Sequence, residues 1–414
     1  MLFSAGLHPC KFISAPTALR RVRGNPTVHR IALTLLYLSA ILAGAPAFAN
    51  PDTSSFSVPA YWARPIQSQG EPPWHEPFLA DLSAETCGLC HPAQLAAWRS
   101  SLHARAVSPG LLGQLDALDG ATQEACLACH APLKEALDLW NREGLDAASR
   151  IPAVDCAACH VRAHVRHGPR EIAITPHGPV HAQPLFTEAE FCATCHQFDE
   201  TGLTVNGKPL ENTYTEWLES RYAREGVTCQ SCHMPAGAHD FLGIHDRETT
   251  RRGLTIEARR TVDSIRVRAG NTGAGHALPT YVTPRILIEV SDTSHEPGTG
   301  RGLTHTIARQ MRWSQELGWE ELADTRLLPD DWIELELAVP PAHGGRVEVR
   351  VEPDYDYHDR VYPTLLNLLE GRLHDAESAL LRDARRQAGV TPYVLYRYRC
   401  PPWSGRTEPC DELP

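Results

Sequence analysis

Ten of the thirteen cysteines in this 414-residue chain fall into one repeated frame, Cys-x-x-Cys-His. It occurs at Cys87/Cys90/His91, Cys126/Cys129/His130, Cys156/Cys159/His160, Cys192/Cys195/His196 and Cys229/Cys232/His233. Residues i and i+3 share one face of a helical turn. Two thiols at that spacing reach the two vinyl groups on one edge of a porphyrin, and the His that follows swings beneath the iron as proximal ligand. A single Cys-x-x-Cys could equally be half of a zinc site, and paired cysteines could equally form a disulfide scaffold. Neither alternative calls for a His after every second Cys. The pattern predicts five haems c, held covalently by the ten cysteines, with the five frame histidines as proximal iron ligands.

The other side of each iron is the more informative question. Beyond the first residue the only methionines are Met234 and Met311. Met234 follows a proximal His directly and is badly placed for another iron, so the distal ligands are expected to be His, or some irons are open. His/Met ligation raises the potential of a haem, and its near absence points to low-potential haems suited to electron transfer. Six histidines are distal candidates. His103 sits in Trp98-x-x-Ser101-x-His103-Ala104, and His164 lies four residues beyond His160, within reach of one short helix. His177 precedes the fourth frame, and His239 and His245 follow the fifth. His276 lies in Gly275-His276-Ala277-Leu278-Pro279-Thr280, where Gly and Pro would set a tight turn. His167 and His181 are runners-up, while His75, His295, His305, His343, His358 and His374 read as ordinary histidines.

The elements that must position these groups follow from the spacing. Frame starts are 39, 30, 36 and 37 residues apart, too uneven for a solenoid. The expected arrangement is an α and loop-rich haem domain over residues 81–250, with the cofactors forming much of its core. After Arg252 the frames stop and alternation of period two begins. Ile265 and Val267 alternate with charged residues, as do Ile286, Ile288 and Val290; Ile333, Leu335, Leu337 and Val339; and Val347, Val349 and Val351. Residues 340–345, Pro-Pro-Ala-His-Gly-Gly, read as a hairpin loop between the last two runs. Residues 365–388 carry helix spacing with Gly389 as stop signal, and Val394, Tyr396 and Tyr398 read as a closing strand. Residues 251–414 are thus expected to form an antiparallel β-sandwich-like domain with one helix, giving α+β architecture overall. Cys400 and Cys410, outside any frame, are expected to pair as a disulfide.

Residues 1–49 read as an export signal: a basic lead, an apolar core from Ile31 to Gly44 and a small-residue cleavage pattern at Ala47-Phe48-Ala49. An uncleaved membrane anchor is the alternative, which the short apolar run and Pro46 disfavour. No later stretch is long and apolar enough to span, so the mature chain is expected to have no transmembrane segment. Residues 50–80, rich in Pro and Ser, read as a leader lying along the surface or staying mobile. Removing residues 1–49 takes away five basic groups and no acidic one, moving the formal charge from −11 to −16. That sign disfavours nucleic acid and suits basic docking partners. The expected setting is the periplasm or the cell exterior, with redox proteins or a membrane electron-transfer complex as partners.

The run from Cys87 to Ala104 resembles the multihaem cytochrome c family that includes the tetrahaem electron carrier of ammonia oxidisers. Asn212-Thr213-Tyr214-x-Glu216-Trp217, Cys229 to Pro235 and Gly243-Ile244-His245-Asp246 are similar to exported multihaem cytochromes, and Gly273 to Thr280 to the start of a β-domain found behind such haem domains. The resemblance covers most of residues 81–290. It implies electron transfer, bis-His haems, and His103 and His276 as distal ligands. The tetrahaem relatives have one haem fewer, so their ligand pairing does not transfer. The family also holds catalytic members, so an oxidoreductase acting on a small nitrogen or sulfur compound at one open haem stands as the alternative.

Overall fold

The computed structural model describes residues 59–72, 81–115, 117–198, 202–293, 302–314, 316–369 and 373–414. The export segment 1–49, along with His75 and His295, lies outside them. The described chain is α+β: short helices and loops up to Gly253, then a β-rich unit.

Each frame sits on a short helix, and local capping explains why so short a helix forms. Ser83, Asp119 and Asp155 precede the helices Ala84–Gly88, Gly120–His130 and Cys156–His160, and their side chains accept from the backbone N–H of Thr86, Thr122 and Ala158 at 3.2, 2.9 and 3.0 Å. Such a cap satisfies amide groups that the helix itself leaves unpaired. Glu190–His196 and Cys229–His233 carry the fourth and fifth frames.

Residues 59–72 of the leader differ from their expectation. Trp62 and Ile66 are buried in the core of the helical part, and Ile66 exchanges backbone hydrogen bonds with Pro132 and Lys134. Their side chains give this Pro-rich stretch enough apolar area to dock, which composition alone hides.

Two antiparallel sheets pack face to face in the β unit. One runs in the order Trp332–Ala338, Ser264–Asn271, Leu254–Arg260, Glu408–Pro409; the other runs Asp411–Leu413, Tyr393–Cys400, Gly345–Glu352, Arg285–Asp292, Gly302–Ile307. The alternating residues Ile265, Val267, Ile286, Ile288, Val290, Val347, Val349 and Val351 all point into the shared core. Residues 340–345 are not a hairpin. The strand before them belongs to one sheet and the strand after them to the other, so this segment crosses between layers. Arg260 explains the crossing: its buried guanidinium donates to the carbonyls of Val339, Pro340 and His343. Gly345 meets Ile265 of the opposite sheet, where a Cβ would lie 2.1 Å from the Ile265 Cδ1. A disulfide joins Cys400 to Cys410.

Residues 365–388 are not one helix either. Tyr362–Leu368 and Asp375–Ala388 are separate, and the second packs on Pro109–Leu115 of the helical part, where Gly113 lies against Leu381. The C-terminal unit therefore supplies one wall of the haem region.

Candidate functional site

A cavity of about 2650 Å³, mostly apolar, is lined by residues of all five frames. A single drug-sized ligand needs roughly 300–1,000 Å³, so this space suits several cofactors in one enclosure. Thiols of different frames are neighbours. Cys87 hydrogen-bonds with Cys156, Cys129 with Cys195, and Cys192 with Cys229. The attachment edges of frames one and three, two and four, and four and five therefore meet. Arg64, from the leader, places Nη1 at 2.7 Å from the Cys129 Sγ.

The imidazoles test whether haem iron fits. Two imidazole nitrogens on opposite sides of one metal ion, each at about 2 Å, put the ring centroids roughly 6 Å apart. Four frame histidines face a non-frame His at that separation: His91 and His177 at 6.3 Å, His103 and His196 at 6.3 Å, His160 and His239 at 6.2 Å, His233 and His276 at 6.2 Å. Distance alone is not diagnostic. His167 and His181 are 6.1 Å apart only because they are register partners on adjacent strands. The four pairs instead join separate segments across the cavity.

Nitrogen usage adds a second test. A metal-bound His commonly donates its other ring N–H to a carbonyl or similar acceptor. Nδ1 of His130, His160, His233, His239 and His276 donates to the carbonyls of Ala106, His167, Leu242, Gly237 and Ala277 at 2.8, 2.8, 2.6, 2.8 and 2.9 Å. His177 Nδ1 does the same to the Thr175 hydroxyl at 2.8 Å. Nε2 is left for iron in each. Burial, reinforced by His233, brings His103 down to about 4; burial and neighbouring imidazoles hold His196 and His276 to about 4 as well. These rings are therefore neutral near pH 7, the form a metal requires. The residues present fit haem.

Two of the six distal candidates are placed differently. His164 is buried beside the leader, with Nε2 at 3.1 Å from the Gly70 carbonyl. The chain leaves the helix at Val161 to start a strand, and His164 takes a positive φ of 61° in the turn. The four-residue spacing from His160 therefore carries no helical meaning. His245 lines the cavity, but its Nε2 pairs with Asp354 at 3.0 Å. Among the described residues, which exclude His75 and His295, no non-frame imidazole is paired with His130 at about 6 Å.

Some positioning groups escaped the sequence reading. Glu216 is buried and accepts from the Ala277 N–H at 3.1 Å, the Thr280 hydroxyl at 3.0 Å and Arg326 Nη1 at 3.0 Å. Arg326 is held in turn by Asp324 at 2.9 Å. Asn271 Nδ2 donates to the His276 carbonyl at 2.8 Å, and Gly273 lies so close to the Arg252 carbonyl that a Cβ would come within 1.9 Å. The His276 loop is thus clamped from both parts of the molecule. The run Asn212 to Trp217 carries Glu216 within a resemblance to exported multihaem cytochromes, and no local pattern announces these contacts. His103 is held differently: Trp98 Nε1 donates to the Val154 carbonyl at 2.8 Å, and the Ser101 hydroxyl accepts from the Ala104 N–H at 3.3 Å.

Comparison with known proteins adds two likenesses. Residues 86–161 match the family model described as cytochrome c554 and c-prime. The fold is similar to that of a penta-heme cytochrome c552 from Thermochromatium tepidum, with a TM-score of 0.50 and 18% identity, covering 81% of this chain and 100% of that one. The likeness is to multihaem cytochromes c. The family match supports haem c as cofactor and multihaem electron transfer as the broad activity; the structural likeness, at 18% identity, shows the fold alone. No curated protein matches the chain. Among the described residues no helix is long and apolar enough to cross a membrane.

Proposed function

We propose that this chain is an exported, periplasmic five-haem electron-transfer protein in which the irons on His91, His160, His196 and His233 each carry a second histidine. The observation that carries the reading is the set of four frame-to-non-frame imidazole pairs at 6.2–6.3 Å. Bound haem iron supplies one-electron chemistry. The protein's share is to fix the distal rings His177, His103, His239 and His276, to hold His103 and His276 neutral near pH 7 by burial, and to bring the attachment edges of the frames together. The cysteine contacts give the connectivity: frame one meets three, and frame four meets both two and five. The acidic surface favours basic redox partners or a membrane electron-transfer complex.

The alternative is an oxidoreductase acting on a small nitrogen or sulfur compound at one open haem; among the described residues His130 is the frame histidine without a non-frame imidazole at this separation. Spin-state counting of the holo-protein tests both. The electron carrier is expected to give low-spin ferric haems throughout, and a high-spin haem that shifts on adding a small ligand such as cyanide or nitric oxide would favour the alternative. Five low-spin haems indifferent to such ligands would remove the open site and leave electron transfer alone.

A further inference from the structure

One stretch of the leader reaches three of the five frames. Tyr61 donates its hydroxyl to the Cys159 carbonyl at 2.8 Å, on the helix of the third frame. Trp62 packs edge-on against Phe191 at 5.0 Å, on the helix of the fourth. Ile66 exchanges backbone hydrogen bonds with Pro132 and Lys134 at 2.8 and 2.9 Å, just past His130 of the second. Further along, the Gln69 backbone N–H donates to Glu135 at 2.7 Å and its Nε2 to the Val161 carbonyl at 3.3 Å. Between these anchors Arg64 sets Nη1 at 2.7 Å from the Cys129 Sγ, and Cys129 is hydrogen-bonded to Cys195 of the fourth frame. A guanidinium is thus held where the attachment edges of frames two and four meet.

A cation at this place could do no more than seat the leader, with the frame sulfur as its anchor. Two observations point elsewhere. First, the leader is seated on both sides of Arg64 by contacts that owe nothing to it. Trp62 and Ile66 are 4% and 1% exposed. The Arg162 guanidinium lies 4.0 Å over the Tyr61 ring, and its Nε donates to the Tyr61 carbonyl at 3.0 Å. Secondly, porphyrin attachment turns the Cys129 thiol into a thioether, a weak hydrogen-bond acceptor. That sulfur would be a poor anchor in the finished protein. The charge is what persists. Arginine keeps its proton throughout the working pH range, and the anchors on either side hold it beside the porphyrin edge.

We propose that Arg64 sets the reduction potentials of the haems on the second and fourth frames, its fixed positive charge at their shared attachment edge favouring the ferrous state. The inference rests on the five-haem reading above and adds to it a residue that tunes the electron transfer. One electron from a reduced partner protein converts ferric to ferrous iron and lowers the charge of that haem by one. No bond forms or breaks, and no proton moves. The more negative state gains more from a neighbouring cation, so the cation makes reduction easier. At an effective dielectric of about 20, a unit charge within about 10 Å of the iron shifts a one-electron equilibrium by about tenfold. The effect draws incoming electrons toward the junction of frames two and four.

The test is spectroelectrochemistry of the holo-protein, resolving the haem potentials of the unmodified chain and of Arg64→Gln, Arg64→Lys and Arg64→Glu. In Arg64→Gln two potentials should fall, each by about tenfold in the reduction equilibrium, which is about 59 mV for one electron. They should fall further in Arg64→Glu and hold in Arg64→Lys. Unchanged potentials in Arg64→Gln would overturn the inference and leave the haems standing. Equal shifts in all three variants would overturn it too, since a seating role alone is indifferent to the sign of the charge. Fewer than five haems per chain in the unmodified protein, counted as the pyridine haemochrome, would overturn the reading on which the inference rests. Should Arg64→Gln fail to mature, Arg64→Met keeps the apolar stem and removes the charge, and the same two potentials should fall; unchanged potentials there would again overturn the inference.

Discussion

At the scale of single residues, the ring nitrogens of histidine separate ligands from bystanders. His276 spends Nδ1 on its neighbour's carbonyl and leaves Nε2 toward His233, whereas His164 and His245 commit Nε2 to the Gly70 carbonyl and Asp354. Replacing His276 by Ala should turn one low-spin haem high-spin, and replacing His103 should do the same for the haem on His196. His164→Ala should leave the spin count as it was. Electron paramagnetic resonance of the ferric protein reads all three, and a lost low-spin haem in His164→Ala would contradict the assignment. The frames were legible because covalent attachment ties cofactor chemistry to local spacing. His276 stood out through its turn residues and His103 through the run from Trp98 to Ala104. The fate of His245 was not legible, since its partner Asp354 lies 109 residues away, and no local pattern announces a contact made by folding.

At the scale of elements, the haem-bearing half and the sandwich meet in the His276 loop. Glu216 on the helix Thr213–Leu218 binds the Ala277 N–H and Arg326 together. Glu216→Ala leaves the buried guanidinium of Arg326 with one carboxylate fewer and frees the loop. Losing one partner of a buried pair costs about 3–5 kcal/mol, so urea unfolding should show a loss of that order, together with partial high-spin character at the haem on His233. The disulfide acts elsewhere: it ties the strand Tyr393–Cys400 of one sheet to Glu408–Pro409 of the other across a 10-residue separation. Cys400→Ser should destabilise the chain by about 3 kcal/mol with haem spectra unchanged, since no frame residue touches it. The alternating strands were readable because one face of each is buried. The sheet crossing at 340–345 was not, because a Pro-Gly segment between two strands looks the same whether they pair or part. Arg260, 80 residues upstream, makes the difference.

At the scale of the whole molecule, acid should act through the same junction. Asp324 holds Arg326 and Lys208; burial alone would raise its carboxyl, but these two cations outweigh it and bring it down to about 2. A depressed carboxyl contributes stability that is complete above its ordinary range near 4 and is lost as pH falls through the folded value. Acid titration should therefore loosen the junction between about pH 4 and about pH 2, read as loss of the low-spin signal of the haem on His233 ahead of global unfolding. A signal that persists unchanged until the chain unfolds would place the acid-sensitive contact elsewhere. The close meeting of sulfurs has a consequence for how the protein is made. Cys87 with Cys156, Cys129 with Cys195 and Cys192 with Cys229 are near enough to oxidise to one another. Any delay between folding and porphyrin ligation in an oxidising compartment would lock the wrong bonds in place. Biogenesis must therefore either hold these thiols reduced or load each frame before its neighbour arrives, and the order of emergence along the chain, one before three and two before four, permits the second course.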